Sequence, residues 1–442
     1  MGTDSGGGRG GRSGRGGEVC TLPLLPLCRR GGGDVRGGCR LLLWLTILAP
    51  TPGAAVAQNN PAALTGPWRA ALDLAGGPLR FRVEFATESG TTTGLVCNAD
   101  RCDRFSEVTP IGADSVLLGM ADYAAGIRAR VAGDSLVGFY RNVGNRGPRT
   151  IPFRAARGRW PVAPPGGALT GRWDATFHPL ERPSPRILEL RRTERGLEGT
   201  IVSNSGDYGL FWGRAEADSF SLAHFDGSFV YMLSGTLDGD TLRGIFHAGL
   251  RTQTPFVAVR STGRPHLTPP TEVVSADTSG PFQFAFPSAD GGIVASDDPR
   301  FDGKVVIVDI FGTWCPTCHD AAPALVDLHR RYRDRGLEIV GLAYEVTGDS
   351  AIDGALVRRY RDKFGIEFPL LLAGVNDGES PAATQPQLAG PIAFPTTIFL
   401  DRTGRVRHVH AGFYGPATGA AHDALVESFR EMVEQLLEEE QE

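Results

Sequence analysis

The chain has 442 residues, 41% hydrophobic and 21% charged, with 59 Gly, 31 Pro, seven Cys and a formal net charge of −5. That length exceeds one ordinary domain and points to two or three, and the balance is globular rather than disordered or membrane-embedded. The acidic charge gives no electrostatic reason to expect a nucleic-acid partner.

Residues 1–57 read as an N-terminal extension plus signal peptide. Met1 to Gly38 is Gly/Arg-rich and lacks apolar periodicity; Arg40 then precedes Leu41 to Leu48, and Ala55-Val56-Ala57 supplies a small-x-small cleavage site. A positive flank, a short apolar core and that ending describe a secretory signal. A retained anchor would need ~20 apolar residues, and this run breaks at Pro50 and Pro52. The expectation is an exported protein of the periplasm or cell envelope, touching the membrane only if the segment is retained. Cleavage would remove Cys20, Cys28 and Cys39 and leave Cys97, Cys102, Cys315 and Cys318. Such an even, sparse set suits one structural bridge and one redox pair. The turn-rich Cys97 to Cys102 segment is the candidate bridge, a second redox pair being the alternative.

From Leu64 to about Arg260, short alternating runs such as Leu79 to Phe85 are separated by Gly, Asp, Asn and Ser turns, the pattern of strands. The pattern repeats. Leu64-Thr65-Gly66-Pro67-Trp68 returns as Leu169-Thr170-Gly171-Arg172-Trp173, Gly133 to Tyr140 as Gly239 to Phe246, and Pro152 to Arg157 as Pro255 to Arg260. Matching order and spacing predict two β-rich units, 58–160 and 165–262, joined by the Pro/Gly-rich Trp160 to Gly167. Each reads as a meander or half-barrel that closes alone or against its neighbour. Trp68 and Trp173, at the same place in both, are expected in the cores.

Residues 263–279, rich in Pro and Thr, read as a linker. After them the texture alternates strand and helix: Phe282 to Phe286, Lys304 to Phe311, helix Ala321 to Arg335, Leu337 to Ala343, helix Ala351 to Phe364, Phe368 to Leu372, Thr396 to Leu400, Val406 to His410 and helix Ala417 to Glu438. The expected architecture is multidomain, a duplicated all-β part followed by an α/β sandwich over 280–442.

The chemistry lies in Trp314-Cys315-Pro316-Thr317-Cys318, between a buried strand and a helix. Two cysteines three apart at a helix start share one turn and can alternate between dithiol and disulfide. The first sits where free N–H groups and the helix dipole favour the attacking thiolate, and the second is placed to resolve the mixed disulfide. A second CxxC and a His pair at zinc spacing do not accompany them, so no metal is expected. Cys315-Pro316-Thr317-Cys318-His319 also fits the haem-attachment pattern, with His319 an axial ligand. In the dithiol reading, His319 is a helix-surface residue. Pro316 and Thr317 bring no charge to the Cys315 thiolate, which favours a reductant over an oxidant.

The order strand, Trp-Cys-Pro-Thr-Cys, helix, then Phe394-Pro395-Thr396 into a strand and an Asp401-Arg402-Thr403-Gly404 turn, resembles the thioredoxin superfamily. The insertion before that proline and the lead-in Asp298 to Lys304 resemble its exported TlpA/ResA-like branch. The likeness covers roughly Gly280 to Glu442. It implies a thioredoxin-like fold and a cis Pro395 that faces the cysteines and orients an extended client. Asp309, six residues before Cys315, matches a buried acid of thioredoxins; desolvated, it would take the proton of Cys318. Glu345 matches an acid near the cysteines of relatives, and Trp314 completes the supporting set.

The resemblance implies a protein-disulfide reductase with no soluble cofactor, re-reduced by a membrane thiol carrier and acting on apocytochrome c or oxidised secreted proteins. An oxidase or isomerase on the same fold is the alternative, as is an envelope-binding protein whose β-units are the working part. A peroxiredoxin would place Thr three residues before its reactive Cys, where this chain has Gly312.

Overall fold

The computed structural model describes residues 61–143, 148–161, 167–178 and 183–439. The expected extension and signal segment, 1–57, lies outside the described residues.

Alternating apolar residues become sheets whose inner faces bury them. In strand Gly77–Glu88, Leu79, Phe81, Val83 and Phe85 are buried and the Arg and Glu between them are not. Two nine-stranded antiparallel sheets result. In the first, the opening strand Gly66–Leu74 pairs with the closing strand Arg149–Arg157. In the second, Gly171–Phe177 pairs with Thr252–Arg260 in the same way. The second sheet also closes on itself: Ser184–Thr193 pairs with both Gly171–Phe177 and Gly196–Ser203, which makes a barrel.

The repeated words occupy corresponding positions. Trp68 Nε1 donates to Leu64 O at 2.7 Å, and Trp173 Nε1 to Leu169 O at 3.0 Å. Arg157 and Arg260 lie over these indoles, 4.6 and 4.3 Å from the ring centres, and donate to Ala63 and Thr65 or to Ala168 and Thr170 carbonyls. Each Trp is thus a buried plug with a cation on its outer face.

The C-terminal part is built on a five-stranded mixed sheet. Its elements are β1 (Val305–Phe311), α1 (Pro316–Tyr332), β2 (Leu337–Glu345), α2 (Ser350–Phe364), β3 (Leu370–Val375), β4 (Thr396–Leu400), β5 (Val406–Ala411) and α3 (Ala420–Glu438). The spatial order is β3-β2-β1-β4-β5, with β1 parallel to β2 and antiparallel to β4. β1 is central and buried throughout, hence its unbroken apolar run. Its odd residues Val305, Ile307 and Phe311 share a core with Leu325, Val357 and Phe429 of the three helices. Its even residues Val306, Val308 and Ile310 pack with Phe282, Phe284, Val294 and Leu388.

Two local differences from expectation have simple causes. α1 starts at Pro316, five residues before the apolar periodicity, because proline at the first helical position is preorganised and loses no hydrogen bond. Within 263–279, Val274 is buried in the second face and Ser275–Ala276 pairs with Leu388–Ala389.

Candidate active site

β1 runs into the turn Gly312–Trp314 and stops at Cys315, whose extended backbone caps α1. The turn is tight: a Cβ on Gly312 would stand 2.2 Å from Trp314 Nε1, so only glycine fits. Cys315 O accepts from the Cys318 and His319 amides at 3.0 and 3.2 Å, which sets both sulfurs on the first helical turn. Both thiols are free. Cys315 is 3% exposed and Cys318 1%. Burial, with Cys315 and Asp309 beside it, pushes the Cys318 thiol well above its ordinary range.

The Phe394–Pro395 bond is cis, and Phe394 O accepts from Cys315 Sγ at 3.5 Å. The Trp314 ring meets Phe394 edge-on at 5.2 Å, while its Nε1 donates to Tyr344 O at 2.8 Å. The proline loop and the cysteine turn therefore face each other.

Two buried carboxyls lie close to this turn. Asp309 lies opposite Thr397 on β4, and its Oδ1 has no hydrogen-bond partner among the described residues. Desolvation raises its pKa to about 7, with Thr397 pulling weakly the other way. Glu345, at the end of β2, accepts from the Thr313 amide at 2.8 Å and the Thr313 hydroxyl at 2.7 Å. Burial raises it also to about 7. Pro316 and Thr317 lie between the sulfurs, and Thr317 Oγ1 donates to Asp207 O at 3.2 Å.

His319 corrects the expectation of a surface residue. It is buried against Tyr123, on the short 3-10 turn Ala121–Tyr123 between two strands of the first β-sheet, and against Tyr360 and Phe364 of α2. Its Nε2 bonds Thr313 O at 2.8 Å and its Nδ1 faces Lys363 Nζ at 3.3 Å; burial and Lys363 lower its pKa to about 3. With both ring nitrogens engaged, nothing in this setting suits an axial haem ligand. Cys97 and Cys102 are bridged at 2.04 Å, at the end of a β-hairpin.

The sequence reading missed the residues that cover the site. Ser228 Oγ donates to Trp314 O at 2.7 Å, Arg101 pairs with Asp320 on α1, and Tyr360 OH donates to Cys318 O at 2.8 Å. Asp226 accepts from the amides of Ser228 and Phe229 and from His224 Nε2, which fixes the loop that carries Ser228. The β-sheet residues approach Cys315 from about 85 to 220 positions away, so spacing carried no signal for them.

Residues 276–423 match the Redoxin family, a span that begins after both large β-sheets. The chain is 28% identical over 136 residues to the thiol-disulfide oxidoreductase ResA of Halalkalibacterium halodurans, covering 30% of this chain and 65% of that one. It is 28% identical over 112 residues to the thioredoxin-like protein YneN of Bacillus subtilis, covering 25% and 58%. Among solved structures, a thiol:disulfide interchange protein of Chlorobium tepidum TLS aligns over 37% of this chain and 99% of its own at 25% identity, with a TM-score of 0.29. The chain thus spans between about half and two thirds of the curated relatives it matches. The C-terminal part is a redoxin domain related to the ResA/TlpA-like thiol–disulfide oxidoreductases.

Proposed function

We propose that this chain, a redoxin domain of the ResA/TlpA-like kind behind two β-domains, is an exported protein-disulfide reductase that works through the Cys315–Cys318 dithiol. The supporting observation is the meeting of four groups: two thiols on one helical turn, the Phe394 carbonyl 3.5 Å from Cys315 Sγ, and a partly unpartnered acid, Asp309, beside Cys318.

In this reading the Cys315 thiolate attacks one sulfur of a client disulfide, forming a mixed disulfide and releasing the other sulfur as a thiolate. Asp309 takes the Cys318 proton, and Cys318 attacks Cys315 Sγ. The intramolecular disulfide forms and the second client sulfur leaves, so two electrons have passed to the client. Because the Cys318 thiol is held well above its ordinary range, no thiolate at that sulfur stabilises the reduced form, so the pair gives up its electrons more readily, which supports the reducing direction. Electrons would return from a membrane thiol carrier. The client class is oxidised secreted protein or apocytochrome c, with Pro395 orienting the client chain. We also infer that the two β-domains are duplicates, from the matched Trp–Arg pairs at the same place in both.

The test is capture. Cys318→Ala should hold client proteins as mixed disulfides with Cys315, and Cys315→Ala should hold none; equal capture by both would overturn the assignment of attacker and resolver. A dithiol potential near about −270 mV fits a reductant, and one near about −120 mV an oxidant.

A further inference from the structure

The dithiol turn is covered by a specific main-chain contact. At the tip of the hairpin Ser203–Asp207 in the second β-domain, Gly206 has φ +107°, and a Cβ there would stand 2.4 Å from Phe413 O and 3.0 Å from Thr317 Cγ2. Gly412 answers it, since a Cβ there would lie 2.5 Å from the Ser205 carbonyl carbon. Two glycines thus let two backbones touch. Asp207 N donates to Phe413 O at 3.4 Å, Asp207 O accepts from Thr317 Oγ1, and Asp207 Oδ1 accepts from Gly415 N at 2.5 Å. Gly412 N donates to Pro395 O at 2.7 Å, so the ledge under the tip is continuous with the proline loop that faces Cys315. Ser228 closes the other side at Trp314 O, from a loop that the first β-domain grips through Asn98 on Phe225 and Tyr140 on Gly227.

We propose that the Ser203–Asp207 tip is an internal competitor for the client-docking ledge, and that Gly206, Asp207 and Ser228 decide which disulfides reach Cys315. An extended polypeptide can replace main-chain contacts of this kind strand for strand. A small disulfide such as glutathione disulfide offers too short a backbone to replace them strand for strand, so the tip holds it off. The client is therefore a protein that presents its disulfide in an extended segment. This rests on the dithiol reaction proposed above.

The test is alkylation of the reduced full-length protein, with Cys315 modification by iodoacetamide followed by mass spectrometry against the same protein in urea. Wild type should react at least about tenfold more slowly folded than unfolded, because only the minor open population exposes the thiol. Gly206→Arg, which cannot seat against Phe413, should recover about tenfold in rate and gain activity on glutathione disulfide. Arg101→Ala loosens the cover at Asp320 and leaves the hairpin intact, and it should move both readouts the same way if Gly206→Arg does not fold. The proposal is overturned if folded wild-type Cys315 reacts at the unfolded rate, or if the folded variants label no faster than wild type. Fast labelling of the variants without insulin reduction keeps the cover and removes the reductase reading. Insulin reduction by wild type, with labelling unmoved in the variants, does the opposite.

Discussion

Asp309 in the middle of β1 and Glu345 at the end of β2 are two buried acids raised to about 7 by the same cause, the loss of water. Their surroundings differ. Glu345 spends both oxygens on the amide and hydroxyl of Thr313, two residues before Cys315. Asp309 keeps one oxygen without a partner among the described residues, on the strand face that the sulfurs share. A displaced pKa alone therefore does not identify a proton acceptor; spare hydrogen-bonding capacity does. On this ground Asp309 fits the proton transfer of the proposed reaction, and Glu345 fits holding the turn in place.

The largest expected effect is that of Asp309→Asn. The amide cannot take the Cys318 proton, so turnover should fall by about 10²-fold, the lower range for a lost general base. Wild-type resolution of the mixed disulfide should rise with pH through about 7, and the variant should lose that inflection. Stability should move the other way. Asp309 is raised from 3.8 to about 7, so between those values the folded protein keeps a proton that the unfolded chain has lost. Its contribution is fully favourable near pH 4, declines as pH rises to about 7 and is flat above. The loss amounts to at most about 4 kcal/mol. Urea unfolding at pH 8 should thus find Asp309→Asn at least as stable as wild type; a clear loss there would mean that the carboxylate is paired after all.

Glu345→Leu should give the opposite pattern. It strands the buried amide and hydroxyl of Thr313, at a cost of about 2–4 kcal/mol for two unsatisfied donors. Glu345→Gln keeps an acceptor and should cost only about 1 kcal/mol. Activity should fall in Glu345→Leu through displacement of the turn, visible as a change in Trp314 fluorescence, and glutamine should rescue both. If leucine abolished turnover with stability and fluorescence unchanged, Glu345 would belong with Asp309 and the contrast would fail.

Much of this domain was legible in the sequence, because its elements carry local signals. The run Val305 to Phe311 reads as a buried strand, Thr396 to Leu400 falls on β4 without adjustment, and the Cys-Pro-Thr-Cys turn marks a helix start by chemistry. The internal repeat marks Trp68 and Trp173 as core residues at matched places, and both are buried; the placing of the Arg157 and Arg260 cations over them carried no signal in the sequence. The cover was not legible. Tyr123, Asp207 and Ser228 sit in ordinary turns and strand ends, and their meaning arises only when the β-domains lie against α1. His319 shows the cost: from spacing alone it belongs on a wet helix face, and the β-domain makes that face an interior.

The smallest effect isolates one hydrogen bond. Thr313→Val keeps the shape of the side chain and the amide bond to Glu345 Oε1, and removes only the hydroxyl bond to Oε2. The loss should be about 1 kcal/mol, but it should depend on pH with a definite sign. The hydroxyl favours the ionised carboxyl, so its removal pushes Glu345 further above about 7. Near pH 6 the carboxyl is mostly protonated in both proteins and gives up little. At pH 8 the wild-type carboxylate holds two donors and the variant holds one, so the deficit should be larger there. Urea unfolding of Thr313→Val at the two pH values reads this difference directly. An equal deficit at both would place the titration of Glu345 outside this window, and the parallel with Asp309 would reduce to burial alone.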